Sequence, residues 1–340
     1  MTPPSDRDPS TALVVGATGH LGNAVVRDLL DSGWRITTTS RQGVRAANLA
    51  GLDIDHRRVG DDGFDDVCAL VAGHRLVVDA AAPYHLWLGE DSNGSASHSP
   101  AQRRMAALLE ACRIHDACFV HVSSFTTLAR QRTWLGTLQR NALEVLHPYF
   151  AHKAAMEERV LEAASRVRSI IVNPTMCLGP WDLKAPELCL IPLLALGRVP
   201  ATNGHELNVI DVRDVARAIR VAFEQACFGR QIPLTGHNTT VDALTASICR
   251  RAGVAPPTRN VPAALTSAAF YGNELLSRAG LSPVAYPAVG AMLLLEQSWE
   301  QPSPAQRRLG IAPMPLSRTL ADSIDWYREQ GYLDGAVASP

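Results

Sequence analysis

The sequence predicts an α/β fold, a doubly wound parallel sheet with helices on both faces and a smaller C-terminal region. Short β-branched runs alternate with helical patterns through the first half, as in successive βαβ units. The first of these runs leads into a glycine-rich turn that opens a helix. Beyond Asn173, prolines at 174, 180, 186, 192 and 200 break the pattern, and the chain of 340 residues exceeds what one compact core usually holds.

Met1 to Ser10 is rich in Pro and Asp, lacks an apolar run, and reads as a loose tail without the layout of a secretory signal. Strands are expected over 12–15, 35–39, 54–59, 76–80, 118–122 and 169–172. Between the first two, Leu21, Val25, Leu29 and Leu30 recur at helical spacing, and Gly33 stands where a helix C-cap belongs. The stretch 89–100, rich in Ser with Asp, Asn and Gly, reads as an exposed loop. Later helices are expected over 216–225 and 241–252, joined by irregular segments, with a second tail at 336–340.

Composition narrows the function. Hydrophobic residues at 46%, charged residues at 19% and a formal net charge of -1 describe an ordinary soluble enzyme without the basic excess of a nucleic-acid binder. The most apolar later stretches, 189–196 and 289–295, are far shorter than the roughly 20 residues a membrane span needs. Seven cysteines, at 68, 112, 118, 177, 189, 227 and 249, are scattered and form no C-x-x-C. They argue for free thiols in a reducing cytoplasm and against a disulfide framework or zinc site. Eleven histidines include no H-E-x-x-H pair, so no metal is expected, and His121 in its apolar run reads as packing.

Gly16-Ala17-Thr18-Gly19-His20-Leu21-Gly22 follows a strand and opens a helix, the context in which such a string binds an anion. One glycine allows the tight turn and another lets the backbone approach a pyrophosphate. The helix N-terminus adds unpaired N–H groups and a favourable dipole. Thr18, His20 and Leu21 belong to the same Rossmann-type cradle. The second strand ends in Thr39-Ser40-Arg41, with no carboxylate until Asp53. Ser40, Arg41 and Arg45 therefore suit a ribose 2′-phosphate, which favours NADPH while leaving NAD(H) open. Asp61 is placed to accept from the adenine amino group, although an exposed loop acid would look the same. Ala81 and Ala82 give the fourth strand the small edge that a flat cofactor needs.

Ser123 and Ser124 follow the fifth strand, and Tyr149 and Lys153 share a helix face at i and i+4. A phenol of pKa near about 10 needs a neighbouring cation to exchange a proton at neutral pH. A serine hydroxyl can then stabilise charge developing on a substrate carbonyl.

Taken with Asn173-Pro174-Thr175, Gly179-Pro180 and Asp211-Val212-Arg213-Asp214-Val215-Ala216, these motifs resemble the extended short-chain dehydrogenases/reductases of the epimerase/dehydratase superfamily. The Asn-Pro-Thr string and the Arg after the second strand resemble its dihydroflavonol reductase and 3β-hydroxysteroid dehydrogenase branch. The resemblance implies that Tyr149 is the general acid or base, that Lys153 lowers its pKa and holds the nicotinamide ribose, and that Ser124 polarises the carbonyl, with Ser123 as fallback. It places Asn173 and Thr175 beside the cofactor, and Tyr84, His85, Trp87 and Trp181 are candidate pocket walls. It also implies a division into a dinucleotide-binding domain over 11–172, with 205–235 returning to it, and a substrate-binding region over 173–204 and 236–335. The returning part would include a strand near 207–210 and a helix from Asp214.

Departures from the family pattern are Asp79 where many relatives have His, and Ala101 and Arg104 where Asn and Gly are usual. The segment 128–147, with Trp134, carries no motif recognised from the family. The expectation is a cytoplasmic, NADPH-linked enzyme acting on a ketone or secondary alcohol of an apolar small molecule, with neither nucleic acid nor a membrane span and with a homodimer left open. A nucleotide-sugar epimerase or dehydratase with tightly bound NAD is the first rival, and a nonenzymatic cofactor-binding regulator the second.

Overall fold

A computed structural model describes residues 11–40, 47–58, 64–81, 100–131, 148–184, 189–262, 265, 276 and 300–334. Its strands run in chain order as β1 (Thr11–Val15), β2 (Arg35–Ser40), β3 (Asp55–Arg58), β4 (Leu76–Asp79), β5 (Cys118–Val122) and β6 (Ser169–Pro174). There follow β7 (Met176–Leu178), β8 (Ala201–Thr202), β9 (Glu206–Asp211), β10 (Arg230–Leu234), β11 (His237–Thr240) and β12 (Arg259–Asn260). The helices are α1 (His20–Asp31), α2 (Phe64–Val71), α3 (Pro100–His115), α4 (Pro148–Ala163), α5 (Leu190–Ala195), α6 (Val212–Glu224), α7 (Val241–Ala252), α8 (Pro304–Arg308) and α9 (Leu316–Glu329).

Seven parallel strands form the main sheet in the order β10-β6-β5-β4-β1-β2-β3. The chain winds one way from β1 to β3 and the other way from β4 onward, so the switch point lies between β1 and β4. A crevice for a ligand opens beyond the carboxyl ends of strands at such a point. Alternate residues of the strands face opposite layers. Ala12, Val14, Val78, Val120 and Ile170 pack with Val25 and Leu29 of α1 and Val215 and Ile219 of α6. Leu13, Val77, Phe119 and Ile171 pack with Met105 and Leu108 of α3 and Met156 and Val160 of α4. Both faces are thus covered, which is why these strands read as continuous apolar runs. α1 ends as expected, with Gly33 in the left-handed region at φ +80°.

Two expectations are corrected. The strand near 207–210 does not return to the main sheet: β9 lies in a separate three-stranded sheet, β11-β9-β7, and what returns is α6 against α1 and β10 beside β6. As an edge strand, β10 tolerates Pro233. The helix expected from 216 starts instead at Val212, because the Asp211 side chain caps it by accepting from the Arg213 N–H at 2.8 Å. Asp211 also accepts from Thr319 Oγ1 of α9 at 2.7 Å, and Arg213 reaches Asp322 of the same helix at 2.5 Å. Burial alone would raise the Asp211 carboxyl, but hydrogen bonds from Arg213 and Thr319 hold it below its ordinary value. The small sheet shares a third core with α5, α7 and α9 through Leu178, Leu194, Leu207, Ile248 and Ile324. No helix among the described residues is long and apolar enough to cross a membrane.

Candidate active site

The glycine-rich turn lies where β1 gives way to α1, against the end of β4. Gly16 sits at φ +85°, and a Cβ there would stand 2.6 Å from the Ala81 N. A Cβ on Gly22 would stand 2.1 Å from the Gly16 carbonyl oxygen. Both contacts are with backbone, so neither position accepts a side chain without moving the turn. Gly19 is the exposed N-cap of α1 and has no side-chain cap, which leaves first-turn N–H groups for an anion. Leu21 packs back onto the sheet core.

Asn48, which sequence reasoning missed, ties this turn to its surroundings. Its Nδ2 donates to the carbonyls of Thr18 at 3.0 Å and Trp181 at 3.2 Å, while its own carbonyl accepts from Asn23 Nδ2 at 2.9 Å. No local spacing marks that role, because the partners are far apart in sequence. His20, largely buried, has Nδ1 3.9 Å from Asp182 Oδ2, the same oxygen that meets Lys184 Nζ at 3.1 Å. Burial lowers the His20 pKa, with Asp182 opposing, so the ring is neutral at neutral pH.

The other half of the crevice is the corner where β5 meets α4. Lys153 is buried, and its Nζ donates to the Val122 carbonyl at 3.0 Å. Burial pulls its pKa down to about 8, against Asp79 and Glu157, which hold it up. Ser124 is half-buried and its Oγ accepts from Thr126 Oγ1 at 2.9 Å and Thr126 N at 3.3 Å, leaving the serine hydrogen to donate elsewhere. Ser123 is buried, its hydroxyl unpartnered among the described residues. Tyr149 lies on α4 one turn before Lys153, its side chain outside the described residues.

Glu157 continues the same helical stripe one turn further on. It accepts from Thr127 Oγ1 at 2.7 Å, Asn173 Nδ2 at 2.5 Å and Gln231 Nε2 at 2.9 Å, joining the end of β5 to β6 and β10. The sequence signal was available: Tyr149, Lys153 and Glu157 are spaced by four.

Three of the expected site residues have contacts within the described residues. Asn173 donates to the Ser124 carbonyl at 3.1 Å and to Glu157, so its amide nitrogen braces the serine turn. The Thr175 hydroxyl is buried and donates to Asn208 Oδ1 at 2.8 Å, toward the small sheet. Trp181 takes φ +78° after Gly179-Pro180 and lays its ring under the Arg27 guanidinium of α1, 4.7 Å away. Arg41, Arg45, Asp61, Ala82, Tyr84, His85 and Trp87 lie outside the described residues, as does the side chain of Ser40.

The model of the NAD dependent epimerase/dehydratase family matches residues 12–232. The chain belongs to this family. Among its relatives, a putative dihydroflavonol 4-reductase from Synechocystis sp. is 28% identical over 328 residues, covering 94% of this chain and 95% of that protein. Sterol demethylase protein B of Methylococcus capsulatus is 28% identical over 337 residues, covering 95% of this chain and 100% of that one. The crystal structure of gox2253 has the same fold, with a TM-score of 0.76 at 24% identity over 96% of this chain and all (100%) of the other. The crowded glycine cradle and the open N-terminus of α1 fit the dinucleotide that gives the epimerase/dehydratase family its name.

Proposed function

We propose that the chain is an NADPH-dependent reductase that interconverts a ketone and a secondary alcohol on an apolar small molecule. The carrying observation is the buried Lys153 ammonium fixed at the end of β5, one residue before the Ser123-Ser124 pair and one turn from Tyr149. Gly16, Gly19 and Gly22 would hold the pyrophosphate, and Lys153 the nicotinamide ribose. Bound, the nicotinamide supplies or takes up the hydride. Ser124 donates its free hydrogen to the substrate carbonyl oxygen, which stabilises the negative charge developing there. The Tyr149 hydroxyl gives its proton to that oxygen, completing the alcohol, and Lys153 stabilises the resulting phenolate. In the oxidative direction each transfer reverses.

NADPH is favoured because β2 leads into Ser40 and Arg41 with Arg45 following, a cationic end without a carboxylate for a ribose 2′-hydroxyl. The curated relatives, a putative dihydroflavonol reductase and a sterol demethylase protein, support an apolar substrate. The free thiols support a reducing cytoplasm.

The test is to analyse the purified protein for bound nucleotide, titrate it with NADPH and NADH, and follow NADPH oxidation across a ketone panel. Expected are tighter binding of NADPH and net turnover that falls about 10²–10⁴-fold in Tyr149→Phe. Tightly retained NAD without net turnover would instead establish an epimerase cycle, and undiminished turnover in the variant would remove the mechanism.

A further inference from the structure

Asp79 is the last residue of β4, and its side chain is fully buried, 0% exposed. The parallel register sets it opposite His121, the residue before Val122, whose carbonyl holds Lys153. Neighbouring strands lie about 4.8 Å apart, so the Asp79 carboxylate at the end of β4 and the Lys153 ammonium, held at the end of β5, belong to the same corner of the sheet. Asp79 Oδ1 accepts from the Ala81 N–H at 3.2 Å and from Arg104 Nη2 of α3 at 3.4 Å. The same Arg104 nitrogen donates to the Ala81 carbonyl, so one guanidinium group clamps both sides of the bend after β4. Asp79 Oδ2 is buried without a hydrogen-bond partner among the described residues. Such an oxygen is expensive to maintain unless nearby charge answers it.

We propose that Asp79 is a positioning residue for Lys153: from the neighbouring strand it fixes the place of the ammonium and keeps it charged, while Arg104 holds the carboxylate in that role. The proposal rests on the reading of Lys153 as the cation of the proton-handling centre. The charged groups facing Lys153 are Asp79 from β4, Glu157 from its own helix and Arg104 from α3, with His121 of β5 opposite Asp79 in the register. Two carboxylates therefore face two cations, and deleting Asp79 leaves both cations to one carboxylate.

The composition makes a direct test practical. Of 32 fixed cations only two are lysines, Lys153 and Lys184, so lysine labelled at its ε-carbon gives two side-chain signals in NMR. Titrating the full-length chain should show Lys153 losing its proton about one pH unit lower in Asp79→Asn, a tenfold loss of ammonium at a given pH. It should titrate higher in Arg104→Gln, where a like charge is gone, while Lys184 stays put in both. The opposed signs separate the effect from general loosening, and if Asp79→Asn fails to fold, the upward shift in Arg104→Gln carries the test. In turnover, the alkaline fall of kcat/KM should move down in Asp79→Asn and up in Arg104→Gln, with Asp79→Glu restoring the parent profile. Unchanged Lys153 titration in folded variants would overturn the role of Asp79. A parent protein that reduces no ketone yet shows both shifts would overturn the reductase reading and leave the pairing of Asp79 with Lys153 standing.

Discussion

The glycine-rich turn and the β5–α4 corner face the same crevice, but they are held by different means. At the turn, shape comes from missing side chains: Gly16 and Gly22 leave no room for a Cβ, and neutral amides of Asn23 and Asn48 fix the loop. At the corner, shape comes from buried charge, with Lys153, Glu157 and Asp79 all nearly inaccessible to water. The first arrangement presents backbone N–H groups, which do not titrate, to an anion. The second holds a titratable cation whose charge depends on its neighbours, as proton transfer requires.

The largest expected effect is at the corner. Lys153→Met should reduce kcat/KM about 10²–10⁴-fold in steady-state assays, because the phenol loses its cation. Nucleotide affinity should fall much less if the turn binds on its own. Gly22→Ala should do the reverse: its methyl, 2.1 Å from the Gly16 carbonyl oxygen, must push the turn open. The expected result is lost NADPH affinity in fluorescence titration, because a displaced turn no longer presents its N–H groups to the pyrophosphate. Equal losses of affinity in the two variants would dissolve the distinction between the two ends.

A pH series sharpens it further. With Lys153 lowered to about 8, ketone reduction should fall about tenfold per unit above that pH, and Lys153→Arg should remove this limb because arginine stays charged. Stability runs the other way. A folded pKa of about 8 lies below the unfolded value of about 10.4, so the native state disfavours the charged lysine. That penalty is complete below about 8 and is relieved as pH rises toward the unfolded value, which denaturant melts of the parent and Lys153→Met should resolve between those limits.

The same contrast explains what could be read in advance. The main sheet was legible because its strands, covered on both faces, are apolar runs bounded by turn residues, and β5 was placed to the residue. The turn was legible because glycine spacing is local. The placement of β9 was not, since a strand shows its own periodicity but not its partner, and β9 pairs with β7 and β11 rather than with β6. Asn48 and Asp79 escaped a role for a related reason: their partners, Trp181 and Arg104, are distant in sequence, and polar contacts of that kind leave no period. Glu157 was readable at four-residue spacing, but its partners Asn173 and Gln231 come from other strands.

Trp181 gives the smallest expected effect and tests where the crevice ends. Read from sequence, an indole after Gly179-Pro180 suits a substrate wall; in the structure it lies under Arg27 of α1, its carbonyl held by Asn48. Trp181→Leu keeps apolar contact with α1 and deletes the ring face. Loss of the cation–π contact should cost about 0.5–1 kcal/mol in a denaturant melt. KM for any ketone the parent reduces should stay the same if the ring serves the packing against α1 alone. A KM that rises severalfold without loss of stability would return Trp181 to the pocket, and would mean that the linker after β7 turns toward the substrate rather than binding the small sheet to α1.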